Sequence, residues 1–216
     1  MIYKCLVIVR YMKQEKVLVF DYDGTIVNSF KAYATRFKKV ARLYGLSGTT
    51  TFFRSLYLGN FARSLQDKGL TQQQVVQLIG AIRAPFIGKP ALIRPFAGMV
   101  DVVNKLSEQY SVYVVSSNMS DSIVESLAYW RIKGVIRVLG GDRVFSKVEK
   151  LASLKKRHPH ATFFYIGDTA GDVQEARIAG YTSVAVSWGY HSARQLEQEH
   201  PDFLATNVRT LHELFL

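Results

Sequence analysis

Val17-Leu18-Val19-Phe20-Asp21-Tyr22-Asp23-Gly24-Thr25 is the stretch on which the fold turns. Four consecutive apolar residues without polar alternation match a strand buried on both faces, the kind found inside a parallel sheet. The run stops at two carboxylates two residues apart, and Gly24 then permits a sharp turn. In sheets of this type, ligands bind beyond the carboxyl ends of the strands. Asp21 and Asp23 therefore stand where chemistry is expected. Taken alone, the segment fits an ordinary Asp-Gly turn at a strand end equally well.

Further along the chain the same arrangement recurs. Val112–Val115 ends at Ser116-Ser117-Asn118, and Thr162–Ile166 runs into Gly167-Asp168-Thr169-Ala170-Gly171-Asp172. Another strand is expected at Ser183–Val186. The segments between have helical spacing: Met99, Val102, Val103 and Leu106; a helix from about Asp121 to Trp130; and Val173, Ala176, Ile178 and Ala179 ahead of Gly180. Strands alternating with helices predict an α/β fold, a Rossmann-like parallel sheet with helices on both faces.

Between Val27 and Pro95 there is no strand pattern. Asn28 is suited to cap a helix running to Tyr44 and stopped by Gly45. Thr71 and Gln74 form a capping-box pattern ahead of Val75, Val76, Leu78, Ile79 and Ile82, and Pro90 and Pro95 close the segment. The expected organisation is a core of residues 1–27 and 97–216 with an all-helical cap inserted at 28–96.

Composition narrows the class. With 48% hydrophobic and 21% charged residues in 216, the chain has enough apolar material for a sizeable core. No apolar run reaches the roughly 20 residues of a membrane helix. Cys5 is the single cysteine, which excludes an intrachain disulfide and fits a cytoplasmic protein. The apolar stretch Cys5–Val9 lacks the flanks of a signal peptide; it reads as an extra edge strand or as a leader ahead of a start at Met12. The net charge of +11 is concentrated in residues 28–96, which hold eleven basic side chains and one acid, Asp67. Such a field favours anionic partners, although a solvated helical surface accounts for most of these residues.

Two acidic clusters at the ends of neighbouring strands would put up to four carboxylates in one crevice. That needs a divalent cation and a fixed positive side chain. Oxygen-only ligands of this kind suit Mg²⁺, which keeps several waters and often binds substrate phosphate as well.

Here the motifs become specific. Asp21-Tyr22-Asp23-Gly24-Thr25 resembles the DxDGT signature of haloacid dehalogenase-like phosphatases. Ser117-Asn118 resembles their second motif, Lys147 their third-motif lysine, and Gly167-Asp168-Thr169-Ala170-Gly171-Asp172 their fourth. Val186-Ser187-Trp188-Gly189-Tyr190 resembles the family's last strand and loop. All stand in the family's order, and the helical insert is similar to the cap of the phosphoglycolate phosphatase-like group.

The resemblance implies an enzyme, a Mg²⁺-dependent phosphoric monoester hydrolase. Asp21 would be the nucleophile, Asp23 the general acid and base, and Ser117 and Lys147 the groups that stabilise the phosphoryl oxygens. Asp21, Asp23, Asp168 and Asp172 would form the metal site, with Asp23 contributing its main-chain carbonyl and Asp172 orienting Lys147 or a metal-bound water. Gly24, Thr25, Asn118 and Arg54 would line the substrate. Ser116 competes with Ser117, and Lys150, nearly on the same helix face, competes with Lys147. Arg54, Arg63 and Arg94 are the cap candidates for gripping a second anionic group.

The implied partner is a small phosphorylated metabolite, with neither membrane nor nucleic acid expected; the oligomeric state is not legible. Haloacid dehalogenases and phosphonatases of the family lack an acid matching Asp23, which favours a phosphate ester as substrate. A phosphosugar mutase, or a non-catalytic module that docks an acidic partner, remains as an alternative. His191 reads as a surface-loop histidine, and His158-Pro159-His160 precedes a strand, at the end of the sheet away from the acids.

Overall fold

The computed structural model describes residues 15–142 and 146–216. The Cys5–Val9 stretch and the choice between Met1 and Met12 lie outside the described residues.

Among the described residues, six parallel strands form one sheet: β1 (Lys16–Phe20), β2 (Ser111–Val115), β3 (Val135–Leu139), β4 (Thr162–Gly167), β5 (Thr182–Val186) and β6 (Phe203–Ala205). Their order is β3-β2-β1-β4-β5-β6. β1 lies at the centre, and the chain passes from it first to one side and then to the other. This reversal opens a crevice between the carboxyl ends of β1 and β4. Asp21 sits at its lip, where its amide extends the β1–β4 ladder by donating to the Ile166 carbonyl at 2.8 Å.

Alternation along β1 builds two cores. Leu18 and Phe20 face one side with Val112, Val114 and Ile166, packed on α5 (Met99–Ser107) and α6 (Ser120–Tyr129). Val17 and Val19 face the other with Tyr113 and Tyr165, packed on α7 (Lys147–Lys155) and α8 (Ala170–Ala179). All four apolar residues of β1 are fully buried, as a run without polar alternation requires. α9 (Ala193–Glu197) and α10 (Val208–Glu213) complete the layers. Among the described residues no helix is long and apolar enough to cross a membrane.

Between β1 and α5 the regular elements are helical: α1 (Phe30–Val40), α2 (Thr50–Ser55), α3 (Phe61–Asp67) and α4 (Gln72–Arg83), with short 3₁₀ turns. The Thr71–Gln74 capping box forms as its spacing predicts. Asn28 does not cap α1. The N-cap is Ser29, whose hydroxyl pairs with Tyr190 Oη at 3.0 Å, while the Asn28 amide donates to the Arg94 carbonyl at 2.8 Å. The chain's exit into the helical segment and its return are thus held side by side, with Val27 and Pro95 bridged antiparallel and the Phe96 amide donating to Ile26 at 3.0 Å.

Two strands carry no clear sequence signal. β3 is an edge strand interrupted by Arg137, and β6 has only three residues; β6 also means that the strand ending at Val186 is not the last.

The helical segment meets the sheet through aromatic packing. Phe53 is 1% exposed, with ring centroids 4.8 Å from Phe37, 5.4 Å from Tyr57, 5.9 Å from Phe30 and 6.0 Å from Phe61. Tyr190, from the loop after β5, stands 4.8 Å from both Phe30 and Tyr57. Phe53→Ala is expected to cost about 3–5 kcal/mol, because a buried aromatic ring leaves a cavity its neighbours only partly fill. Urea unfolding monitored by circular dichroism checks this; an unchanged midpoint would show that the cluster carries no stability.

Candidate active site

The end of β1, the end of β4 and the first turns of α7 and α8 converge on one buried group of charges. Asp21, Asp168 and Asp172 are 6%, 0% and 2% exposed, and each brings a carboxylate oxygen within 4.8 Å of the other two. One ammonium lies among them. Lys147 Nζ is 3.0 Å from Asp21 Oδ2 and 2.6 Å from Asp172 Oδ1.

The three acids are held differently. Asp172 accepts from Lys147 and Tyr165 Oη through Oδ1, and from the Asp168 amide and the Thr169 amide and hydroxyl through Oδ2. Though burial opposes its charge, this set of donors, led by Lys147, brings its pKa below the ordinary value. Asp168 has two donors, Thr25 Oγ1 at 3.0 Å and the Tyr190 amide at 2.7 Å. Burial, with Asp172 and Asp21 nearby, pushes its pKa well up. Asp21 keeps Lys147 on Oδ2, while its buried Oδ1 has no partner at all. Burial raises its pKa to about 7 against the pull of Lys147.

Gly24 makes this packing possible. Its φ is +84°, and a Cβ there would overlap Asp168 Oδ2. Gly24 and Thr25, expected at the substrate, instead face Asp168. Asp23 lies beside Asp21, and its Oδ2 accepts from Asn118 Nδ2 at 3.0 Å. Its Oδ1 is buried without a partner, and burial raises its pKa.

Both pairs of competing residues are separated in space. Lys147 touches the acids, whereas Lys150 Nζ donates to the Ser116 carbonyl at 2.8 Å and has its pKa lowered to about 8 by burial and by Lys147. Ser116 Oγ is turned back to accept the Asn118 amide at 3.1 Å. The Ser117 hydroxyl is met instead by a residue that sequence reasoning passed over. Arg83, the last residue of α4, donates to the Ser117 carbonyl at 2.7 Å and to Ser117 Oγ at 3.3 Å. Arg83 lines the same cavity, of about 50 Å³, as Asp21, Asp23, Ser117 and Lys147.

The cap arginines expected at the site are elsewhere. Arg54 lies over the Phe30 ring at 4.6 Å and is not among the residues lining that cavity. Arg63 pairs with Asp67 at 3.1 Å on the surface, and Arg94 is exposed. Nothing local in the sequence sets Arg83 apart, since Arg54 is a last-turn cation as well. His191 is not a surface residue. It is 1% exposed, its Nδ1 accepts from the Ala170 amide at 2.9 Å, and its Nε2 faces the Arg54 carbonyl at 3.3 Å, tying α8 to α2. His158 is at the opposite end of the sheet, bonded to Glu15 and Tyr113.

The donor set fits a hard divalent cation. Asp21 Oδ1 is a buried oxygen without a partner, Asp168 has two donors for its two oxygens, and a single lysine faces three acids. All-oxygen ligation of that kind is what Mg²⁺ takes.

Residues 18–186 match the family model described as haloacid dehalogenase-like hydrolase. Among curated relatives, a phosphoglycolate phosphatase of Synechococcus elongatus is 25% identical over 194 residues, covering 88% of this chain and 92% of that protein. Another, from Aquifex aeolicus, is 24% identical over 208 residues, covering 92% and 96%. A haloacid dehalogenase-like family hydrolase of Streptococcus pneumoniae superposes with a TM-score of 0.77 at 21% identity, over 94% of this chain and 99% of that one, which is a likeness of fold.

In the metal-free protein the folded state holds the Asp21 proton more tightly than the unfolded chain does. This group therefore makes stability fall as pH rises from its ordinary value of 3.8 to about 7. The urea midpoint of chelator-treated protein is expected to decline across that window. Mg²⁺ at 100 times its Kd should then add about 2.7 kcal/mol at neutral pH, and Asp168→Asn should lose that gain. A midpoint indifferent to Mg²⁺ would remove the metal from this site.

Proposed function

The chain belongs to the haloacid dehalogenase-like hydrolase family, and from that premise we propose that it is a Mg²⁺-dependent phosphatase acting on a small phosphorylated metabolite through an aspartyl-phosphate. The observation that carries this is Asp21. One of its oxygens is steered by Lys147, the other has no partner, and Asp23 stands two residues on in the same cavity.

Asp21 attacks phosphorus, and the ester P–O bond breaks as Asp23 passes its proton to the leaving alcohol. Burial favours the protonated form of Asp23 that this step requires. In the second step Asp23 takes a proton from water, the water oxygen attacks phosphorus, and the bond to Asp21 breaks to release phosphate. Ser117 and Lys147 donate to the phosphoryl oxygens, whose charge grows in the transition state. Asp172, saturated with donors, holds Lys147 in line. Asp21, Asp168 and the Asp23 main-chain carbonyl would hold the ion, which would supply charge neutralisation for the phosphoryl group. A cytoplasmic setting belongs to the same proposal.

The curated relatives' substrate carries a carboxylate beside its phosphate, and Arg83 is the cap cation suited to such a group. Its planar guanidinium pairs with carboxylates in two-pronged fashion, and its bonds to Ser117 are exchangeable.

Phosphate release in the presence of Mg²⁺ tests the proposal. Asp21→Asn is expected to abolish turnover, and Asp23→Asn to slow it about 10²–10⁴-fold on an alkyl ester; excess chelator should stop the parent. An Asp23→Asn enzyme as fast as the parent would deny that residue its part. Arg83→Met should lower kcat/KM for phosphoglycolate against ethyl phosphate by on the order of 2–5 kcal/mol. If the ratio of the two substrates does not move, Arg83 reads no second anion.

A further inference from the structure

A second cavity, of about 460 Å³, lies between α3 and α4 on one side and α7 and α8 on the other. It meets the Asp21 cavity at Asn60, Ala62, Gly171 and Glu175, which line both. Asn60, the N-cap of α3, donates through Nδ2 to Glu175 Oε1 at 3.0 Å across this boundary. None of the steps above uses Glu175.

Side-chain amides are the commonest polar groups of the cleft. Gln66, Gln72 and Gln174 join Asn60 and Glu175 on its walls. Both amide protons of Gln174 are taken by the Leu58 carbonyl and Glu199, which leaves its own carbonyl oxygen to accept. Side-chain amides offer donors and acceptors together, and a hydroxyl is the ligand group with the same double character. Among the described residues Arg63 is the one cation on the walls, and its exposed side chain already faces Asp67 at 3.1 Å, so a second carboxylate at the inner end of the cleft would meet Glu175. Val76, Val148 and Ile178 supply apolar surface for carbon. A volume of this size holds a chain far longer than a two-carbon acid.

We infer that this cleft is the subsite for the distal part of the leaving alcohol and that it takes an uncharged, hydroxyl-bearing chain, read by Glu175 and Asn60 at its inner end. This rests on the phosphatase proposal and extends it. The phosphoryl group lies at Asp21, a carboxylate, where the substrate has one, at Arg83, and a hydroxylated chain of several carbons runs out between the two pairs of helices.

The test compares phosphoglycolate, sorbitol 6-phosphate and hexyl phosphate with Mg²⁺. kcat/KM is measured on the parent, on Glu175→Gln, and on Val76→Trp, which fills the cleft from a position 47% exposed. Kd is measured for the same esters on Asp21→Asn protein, where the outcome does not depend on turnover. The parent should favour sorbitol 6-phosphate over hexyl phosphate by at least about tenfold, the effect of one or two net hydrogen bonds. Val76→Trp and Glu175→Gln should each erase most of that preference while leaving phosphoglycolate within about threefold, and the Kd series should follow the same order. Equal loss on every ester, or no loss on any, overturns the inference, and so does a parent that accepts the apolar chain as readily as the hydroxylated one. If nothing is hydrolysed, the phosphatase proposal falls by itself; the Kd series still decides whether the cleft holds the hydroxylated chain.

Discussion

One ammonium among three buried carboxylates governs the rest of this structure. Lys147 reaches Asp21 and Asp172 from the first turn of α7, and without it two buried charges would stand uncompensated. Its own pKa is driven well up by those partners although burial works against it. Asp172 is bonded so completely that its role is to hold: it fixes Lys147, caps the first turn of α8 through Thr169, and ties down Tyr165. What is left unpaired is Asp21 Oδ1 and one oxygen of Asp23. The unpaired oxygens of the site are thus the ones nearest the chemistry proposed for it, and their burial costs stability that a cation and a substrate would restore.

The second constraint is the closeness of the helical segment to the sheet. The Gly171 amide donates to the Tyr57 carbonyl at 3.3 Å, and a Cβ at Gly171 would come within 2.5 Å of the Gly59 carbonyl oxygen. Backbone meets backbone there, directly over the first turn of α8. His191 adds a tie to Arg54, and the Phe53 cluster closes on Tyr190. These contacts place Arg83 against Ser117. They also leave two spaces of different chemistry: a small charged one at Asp21, and a larger one of amides and apolar surface beside α8. Burial by the helical segment lowers the effective dielectric around Asp21, which would strengthen the charge interactions of a bound phosphate.

The acids were legible because their signal is local. A buried strand needs consecutive apolar residues, a tight turn after it needs glycine, and carboxylates crowded at that turn call for a cation. Asp21, Asp23, Asp168 and Asp172 follow from such short-range requirements, as do β1, β2, β4 and β5 and the capping box at Thr71. β3 and β6 were not legible, since edge strands are half exposed and tolerate a charge such as Arg137 or a length of three residues. Asn28 and Ser29 are both good caps, and the choice between them was made by the backbone pairing of Asn28 with Arg94.

The sequence by itself determined the parallel sheet, the helical insert and the acidic residues at the strand ends, because each depends on neighbours a few positions away. Only the tertiary structure decided which side chains meet those acids. Lys147 and Lys150 are equivalent by spacing, and the path of α7 past Asp172 separates them. Arg83 is one of eleven basic residues in its segment, and no local pattern sets it above Arg54, Arg63 or Arg94. Its place at Ser117 follows from how α4 ends against the core. His191, which reads as a surface residue, is buried because α2 folds over it. Contacts between segments far apart in the chain are made by the packing of whole helices, and that information is spread over every residue of their faces.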